Sequence, residues 1–366
     1  MNFSTTRVNS SELNEDNYVS TENMLQDYQG IVDAKSVPED VNVISFSCGD
    51  TLISNIRPYL KKVWKATYNG GCSSDVFVLK ANDNIESDYL HYVIANDKFI
   101  NFVMSGAKGV KMPRGDKNQM KTYSLSLPQI QEQKKISKML SLLDERIATQ
   151  NKIIDKLQSL IKGLNDTLYA QHGDEVMTSF AELGTSYSGL SGKSAQDFGS
   201  GKPFITYLNV YSNNIINEND FQYVAIKDGE KQNVAEYGDV LFTLSSETPE
   251  EVGIGSVYLG KEKVYLNSFY FGIHITNVEI AFPPYLSYYV SSTPFRKFVY
   301  PYAQGSTRFN LCKADFEKAN IKLPTLENQK RIYSILSHID SKIETERQML
   351  DLYNSQKQYL LRQMFI

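Results

Sequence analysis

Two stretches of this 366-residue chain gather cationic side chains with almost no counter-charge. Residues 51–74 hold Arg57, Lys61, Lys62 and Lys65 and no acid, and residues 98–121 hold Lys98, Lys108, Lys111, Arg114, Lys117 and Lys121 against Asp116 alone. Clustered Lys and Arg neutralise phosphates, and polar neighbours reach base edges, so these residues suit nucleic-acid binding. The Gly-rich basic segment 105–116, SGAKGVKMPRGD, suits a loop lying against a groove, although each residue alone also reads as a solvated surface position. A thinner counterpart spans residues 296–313, where Arg296, Lys297, Arg308 and Lys313 flank Ser306 and Thr307 without an acid. Residues 186–193, small and polar and ending at Lys193, form a further groove candidate. The candidate DNA-binding set is therefore Arg57, Lys61, Lys62, Lys108, Lys111, Arg114, Lys117, Lys193, Ser306, Thr307, Arg308 and Lys313. Tyr207 and Asn209 either sit near bases or cap a strand, and the acidic Glu247, Glu250 and Glu251 either point away from phosphate or accept from cytosine amino groups. The formal net charge of −4 does not oppose this reading, because the local field is what a ligand meets.

Catalytic chemistry is not visible. Phe282-Pro283-Pro284-Tyr285 resembles an amino-methyltransferase tetrapeptide, but phenylalanine stands where a side-chain oxygen must accept the amine hydrogens; a helix start near Pro284 fits better. Gly192-Lys193-Ser194 lacks the first glycine of a phosphate loop, since Tyr187 falls there, and Gly253-Ile254-Gly255 lacks the third glycine of a dinucleotide fingerprint. His91, His172, His274 and His338 have no metal-ligand spacing, and Cys48, Cys72 and Cys312 can build neither a disulfide framework nor a zinc knuckle. No metal site is expected, the thiols read as reduced, and neither a leader nor a span of about 20 apolar residues appears, so the expected location is cytoplasmic.

The elements that must position the cations are set by an internal repeat. Residues 127–147, LPQIQEQKKISKMLSLLDERI, and residues 323–343, LPTLENQKRIYSILSHIDSKI, match without a gap at Leu127/Leu323, Pro128/Pro324, Gln133/Gln329, Ile136/Ile332, Leu140/Leu336, Asp144/Asp340 and Ile147/Ile343. Each opens a long helix with apolar residues at alternating spacings of four and three, the 3.5-residue period of a coiled-coil seam. The central seam is Ile136, Leu140, Leu143 and Ile147 with Ile332, Leu336, Ile339 and Ile343; polar Gln150 and Glu346 lie mid-seam. Each stripe needs a partner, and the matching stripe in the same chain predicts an intramolecular rod about 50 Å long. Two core helices in separate domains, or a homodimer zipper, are the alternatives.

The same 196-residue offset extends backwards: Tyr89, Phe99, Phe102, Ala107, Gly109 and Lys117 match Tyr285, Phe295, Phe298, Ala303, Gly305 and Lys313. Further upstream the match needs gaps, with Gly49-Asp50 against Gly238-Asp239. Short β-type runs bounded by Gly, Asn and Asp make each half α+β, a twisted sheet with one or two late helices. One asymmetry stands out. The second half reaches Phe204-Ile205-Thr206-Tyr207 after residues 179–203, whereas the first reaches Tyr18-Val19-Ser20-Thr21 after a short leader. The first is either a compact form, which is favoured, or its opening strand is missing or supplied elsewhere.

Domain, helix, domain, helix, with L-P-x(4)-Q-[KR]-[KR]-I opening each helix, resembles the specificity subunit of type I restriction–modification systems over essentially the whole chain. The resemblance implies an α+β fold of two pseudo-two-fold-related target-recognition domains, residues 1–127 and 172–324, separated by an antiparallel coiled coil of residues 128–171 and 325–366. It implies a non-catalytic partner of double-stranded DNA, each domain reading half of a bipartite site. Its helices would dock two modification (methyltransferase) subunits and, in the larger complex, restriction subunits. S-adenosylmethionine, ATP and Mg belong on those partners, and no cofactor on this chain. The competing readings are a stand-alone methyltransferase or nuclease with two recognition halves, and a coiled-coil scaffold that binds no nucleic acid.

Overall fold

A computed structural model describes residues 2–365. The chain forms two compact units, residues 1–152 with 348–366, and residues 153–347. Each contains a globular part and a segment of both long helices, Ile130–His172 and Leu326–Met364.

In the first unit an antiparallel sheet is ordered Asn2–Phe3, Val76–Lys80, Thr51–Ser54, Val63–Lys65. Its central strands are buried on both sides, and successive side chains take opposite faces. Ile53 and Leu79 therefore join the core under helices Ser87–Ile94 and Asp97–Ser105, with Tyr89, Phe99 and Val103. Leu52 and Val78 pack the other way, against Phe46, Cys72 and Val19. Those three belong to a second sheet ordered Arg7–Asn9, Asn42–Phe46, Gly70–Cys72, Tyr18–Val19, whose last pair is parallel.

The second unit repeats both layers. Its first sheet runs Gly184–Ser188, Tyr270–Ile275, Val240–Thr243, Gly255–Val257, with Phe242 and Phe271 facing the helices and Leu241 and Tyr270 facing the second sheet. In that second sheet Phe198–Ile205 runs parallel to Val264–Leu266, so Phe204-Ile205 occupies the place of Tyr18-Val19. The expectation of one sheet per half is thus corrected to two stacked sheets. Asn2–Phe3 pairs with Val76–Lys80 in the place where Gly184–Ser188 pairs with Tyr270–Ile275.

Both units share one tight turn. Gly49 and Gly238 each have φ +92°, a region open to glycine at little cost. Their N–H groups donate to Ala66 and Tyr258, while the Asp50 and Asp239 carboxylates accept the Ser47 and Glu236 N–H groups at 2.8 Å.

The joint between globular part and helix is duplicated at the level of individual hydrogen bonds. Fully buried Gln133 accepts the Glu86 N–H (2.8 Å) and donates to the Asn84 (3.1 Å) and Pro128 (2.8 Å) carbonyls. Gln329, equally buried, accepts the Phe282 N–H (2.8 Å) and donates to Ile280 (2.7 Å) and Pro324 (2.8 Å). Tyr92 donates to Asp144 as Tyr288 donates to Asp340.

Within each unit the two helix segments run antiparallel. In the first, Asp144 pairs with Lys357 (2.5 Å) and Arg146 donates to the Tyr353 hydroxyl (3.1 Å). In the second, His172 near one helix end meets Asn328 near the other's start. The seam residues are divided between roles. Leu140 joins the first core with Leu361 and Phe365, Ile136 packs on its edge, and Ile332 and Leu336 join the second core beside Ile161, Leu164 and Leu168. Leu143 and Ile343 are buried, whereas Ile147 and Ile339 are half-buried. The stripe expected to serve the helix pair alone thus also anchors each globular part, because a helix carrying a domain must bury residues against that domain as well as its partner helix.

Candidate nucleic-acid interface

The basic segment around residue 110 is a hairpin. Lys108 and Arg114 exchange backbone hydrogen bonds at 3.0 and 2.9 Å, and the base is stitched to a neighbouring loop by Gly115 N–H to Asn55 (3.0 Å) and Arg57 N–H to Pro113 (2.8 Å). The second unit builds the same object: Gln304 pairs with Asn310, Asn310 with Ser245, and the Leu311 N–H donates to Leu244 (2.8 Å). Gly109 (φ +99°) and Gly305 (φ +145°) make the two turns possible, since a Cβ there would meet the carbonyls of Met112 and Arg308. The tips differ in chemistry. One carries Val110, Lys111 and Met112; the other, Ser306, Thr307 and Arg308.

Of the candidate cations, the structure gathers Arg57, Lys108, Lys111 and Arg114 at the first hairpin, all exposed. Lys108 pairs with Asp116 (3.3 Å) and Arg114 with Asp75 (2.9 Å), exposed pairs that hold the side chains without removing their charge from solvent. Asp116 also caps the helix Lys117–Lys121, and bonds from the Gln119 and Asn118 N–H groups, then from Lys108, hold its carboxyl below the usual range. Lys117, beside the hairpin in sequence, lies 4.9 Å over the Phe3 ring. At the second hairpin Ser306, Thr307 and Arg308 are all exposed.

Other candidates are committed elsewhere. Lys61 pairs with Asp97 (2.9 Å), and Lys62 donates to the Thr21 carbonyl (2.6 Å), its ammonium pKa pushed down by burial. Lys193 is corrected from groove residue to internal strut: its side chain is 6% exposed and bonded to Glu230 (2.6 Å) and the Ala225 carbonyl (2.6 Å). Lys193 first, then the Lys227 N–H, pull the Glu230 carboxyl down to about 2. The flexible loop expected at residues 186–193 begins as a paired edge strand with Tyr187 and Leu190 buried. Lys313 stands 4.9 Å over Phe271 and 3.6 Å from Glu317. Arg296 braces the Glu250, Val252 and Gly253 carbonyls at 2.6 to 2.7 Å. Asn209 caps no strand: it is buried within the helix Tyr207–Ser212, capped by Thr206, and bonded to Asn213 and Asn217, and Glu251 accepts from Tyr211 and Ser246. Among the described residues no cluster of His, Cys, Asp and Glu could hold a metal, and no helix is long and apolar enough to cross a membrane.

Comparison with known proteins supplies the family and the fold. The family model of the type I restriction modification DNA specificity domain matches twice, at residues 4–159 and 189–352. A type I restriction enzyme specificity subunit of Methanocaldococcus jannaschii, MjaX, is 27% identical over 343 residues, covering 84% of this chain and 76% of its own. A second from that organism, MjaVIII, is 31% identical over 140 residues, 37% of this chain and 32% of its own. Among solved structures, a chain from a type I R-M system complex has TM-score 0.60 at 18% identity, covering 98% of this chain and 96% of that one. The HsdS subunit of Thermoanaerobacter tengcongensis gives 0.51 at 18%, covering 100% and 94%. These last two likenesses establish the fold.

Proposed function

The chain belongs to the family of type I restriction–modification DNA specificity subunits, and on that premise we propose that each unit reads one half of a bipartite duplex target through its hairpin. The observation that carries this is the duplication itself. The same backbone hairpin, built by the same bonds, stands in both units with exposed cations or hydroxyls and a different tip. Lys111 and Arg308 supply charge free of any ion pair among the described residues, Lys108, Arg114 and Arg57 add phosphate contacts on the first unit, and the tip side chains meet base edges.

The chain's role is recognition, and chemistry belongs to its partners. Exposed apolar side chains recur on the long helices at the 196-residue offset, Met139 with Ile335 and Ile153 with Met349. Like positions repeated on the two helices suit two copies of one partner, the modification subunits, with restriction subunits joining the larger complex. S-adenosylmethionine, ATP and Mg would bind those subunits, and the assembly would work in the cytoplasm.

The test is target binding by the assembled modification complex across a salt series. Lys111→Ala should flatten the slope of log affinity against log salt by about 0.9, one phosphate contact. Arg308→Ala should do the same if it meets phosphate, or should relax discrimination at one base pair of the other half-site if it meets a base. Unchanged slope and specificity for both variants would refute the assignment.

A further inference from the structure

The tip of the first hairpin does not look like a phosphate-binding loop. Val110 is 101% exposed and Met112 50%, and Tyr59 on the adjoining loop is 46% exposed. Apolar groups in water offer a phosphate nothing. Here they are ringed by Arg57, Lys108, Lys111 and Arg114, against the carboxylates Asp75 and Asp116. A cationic rim draws the tip to a polyanion, and the apolar apex then faces whatever lies deeper than the phosphates.

Three features narrow what that is. First, the element is a two-stranded ribbon closed by the Lys108–Arg114 pair, and the major groove of duplex DNA, about 12 Å wide, admits such a ribbon as it stands, whereas the minor groove, about 6 Å wide, must be opened to take one. Second, the apolar group that distinguishes one base pair from another in the major groove is the thymine C5-methyl. Third, Val110, the most exposed side chain of the tip, is not one of the Phe, Leu, Ile, Met or Pro wedges that unstack base steps from the minor groove, and Met112, which is of that kind, is only half as exposed. The equivalent hairpin of the second unit carries Ser306 and Thr307 hydroxyls and Arg308, which match base hydrogen-bonding edges instead.

We infer that Val110 is a specificity-determining residue that reads a thymine methyl in the first unit's half-site. Met112 stands two residues further along the same tip, and the second unit reads its half-site by hydrogen bonds. The inference rests on the proposal that the hairpins meet DNA, and the experiment separates the two. The complete modification complex is bound to a duplex carrying its target, located by methylation mapping, with each thymine of both half-sites replaced in turn by deoxyuridine. One replacement should weaken binding about four-fold, the effect of losing burial of a single methyl group. Val110→Ala should weaken binding to the all-thymine duplex and abolish the sensitivity at that one position. Val110 is fully exposed, so the variant keeps the fold. If Lys111→Ala lowers affinity and flattens the salt slope while Val110→Ala leaves every deoxyuridine effect unchanged, the hairpin meets DNA but the thymine inference is wrong. If Lys111→Ala changes neither, the first hairpin does not meet DNA and the inference falls; if Arg308→Ala is silent as well, the proposed function falls with it.

Discussion

Replacing Gln133 by alanine should destabilise the first unit about as much as replacing Gln329 destabilises the second. Each glutamine is fully buried and makes three hydrogen bonds: one from a backbone N–H preceding a helix, one to a carbonyl two residues earlier, and one to the carbonyl of the proline that opens the long helix. At about 1 kcal/mol net per bond the loss is roughly 3 kcal/mol, and a buried orphan amide raises it further. Asn84 is exposed and its counterpart Ile280 half-buried, so water can replace the glutamine at either carbonyl, which brings the expected value to about 2–3 kcal/mol per site. Hydrogen exchange read by mass spectrometry on the intact chain locates the effect. Gln133→Ala should speed exchange at Glu86 and leave Phe282 protected, and Gln329→Ala should do the reverse. A destabilisation below about 0.5 kcal/mol, or equal loss of protection at both amides in either variant, would refute the reasoning that each glutamine locks only its own joint.

Two further outcomes follow from buried charge. His91 is pressed down to about 4 by burial, then by Lys357, with Asp144 opposing and Lys65 adding, and its Nδ1 has no partner among the described residues. Its neutral form is the folded one, so its contribution is complete above pH 6.5 and is lost as pH falls toward 4; urea titrations of the first unit should lose up to about 3 kcal/mol over that window, and His91→Gln should remove the dependence. Glu230, held near 2 by Lys193, contributes above its ordinary value of 4.5 and loses that contribution as pH falls toward 2. Lys193→Met should therefore lower the melting temperature of the second unit while leaving the salt slope of DNA binding intact, in contrast to Lys111→Ala.

The repeat, the two long helices and the matched loops at Gly109 and Gly305 were legible because they are written in order: the offset of 196 holds from Tyr89 to Ile147 without a gap, although the residues there read as loops where the fold makes hairpins. The second sheet of each unit was not. Gly70-Gly71-Cys72 and Tyr18-Val19 are three- and two-residue strands with no alternating pattern, and their pairing is decided by contacts far along the chain. Nor did charge counting reveal Lys193 as a strut, since Glu230 lies 37 residues away and only the fold brings them together. The heptad stripe announced that Ile136, Leu140, Ile332 and Leu336 would be buried, but an apolar stripe does not name the surface that covers it, and each globular core took part of it.

What the two units kept and what they changed follow one rule. At the shared turn the aspartate retains its bond to the backbone N–H three residues earlier, yet its other partner is Lys80 in one unit and His274 with Tyr187 in the other. At the joint, Gln133 and Gln329 satisfy backbone groups and are unchanged. At the hairpins the ladder bonds persist while every tip residue differs. A buried backbone donor or acceptor has few ways to be satisfied, and losing its partner costs on the order of 1–3 kcal/mol, so contacts of that kind resist drift. A side chain that meets solvent or an outside ligand carries no such debt to the fold. The tips can therefore change without disturbing the scaffold, which lets one duplicated frame present two unlike reading surfaces.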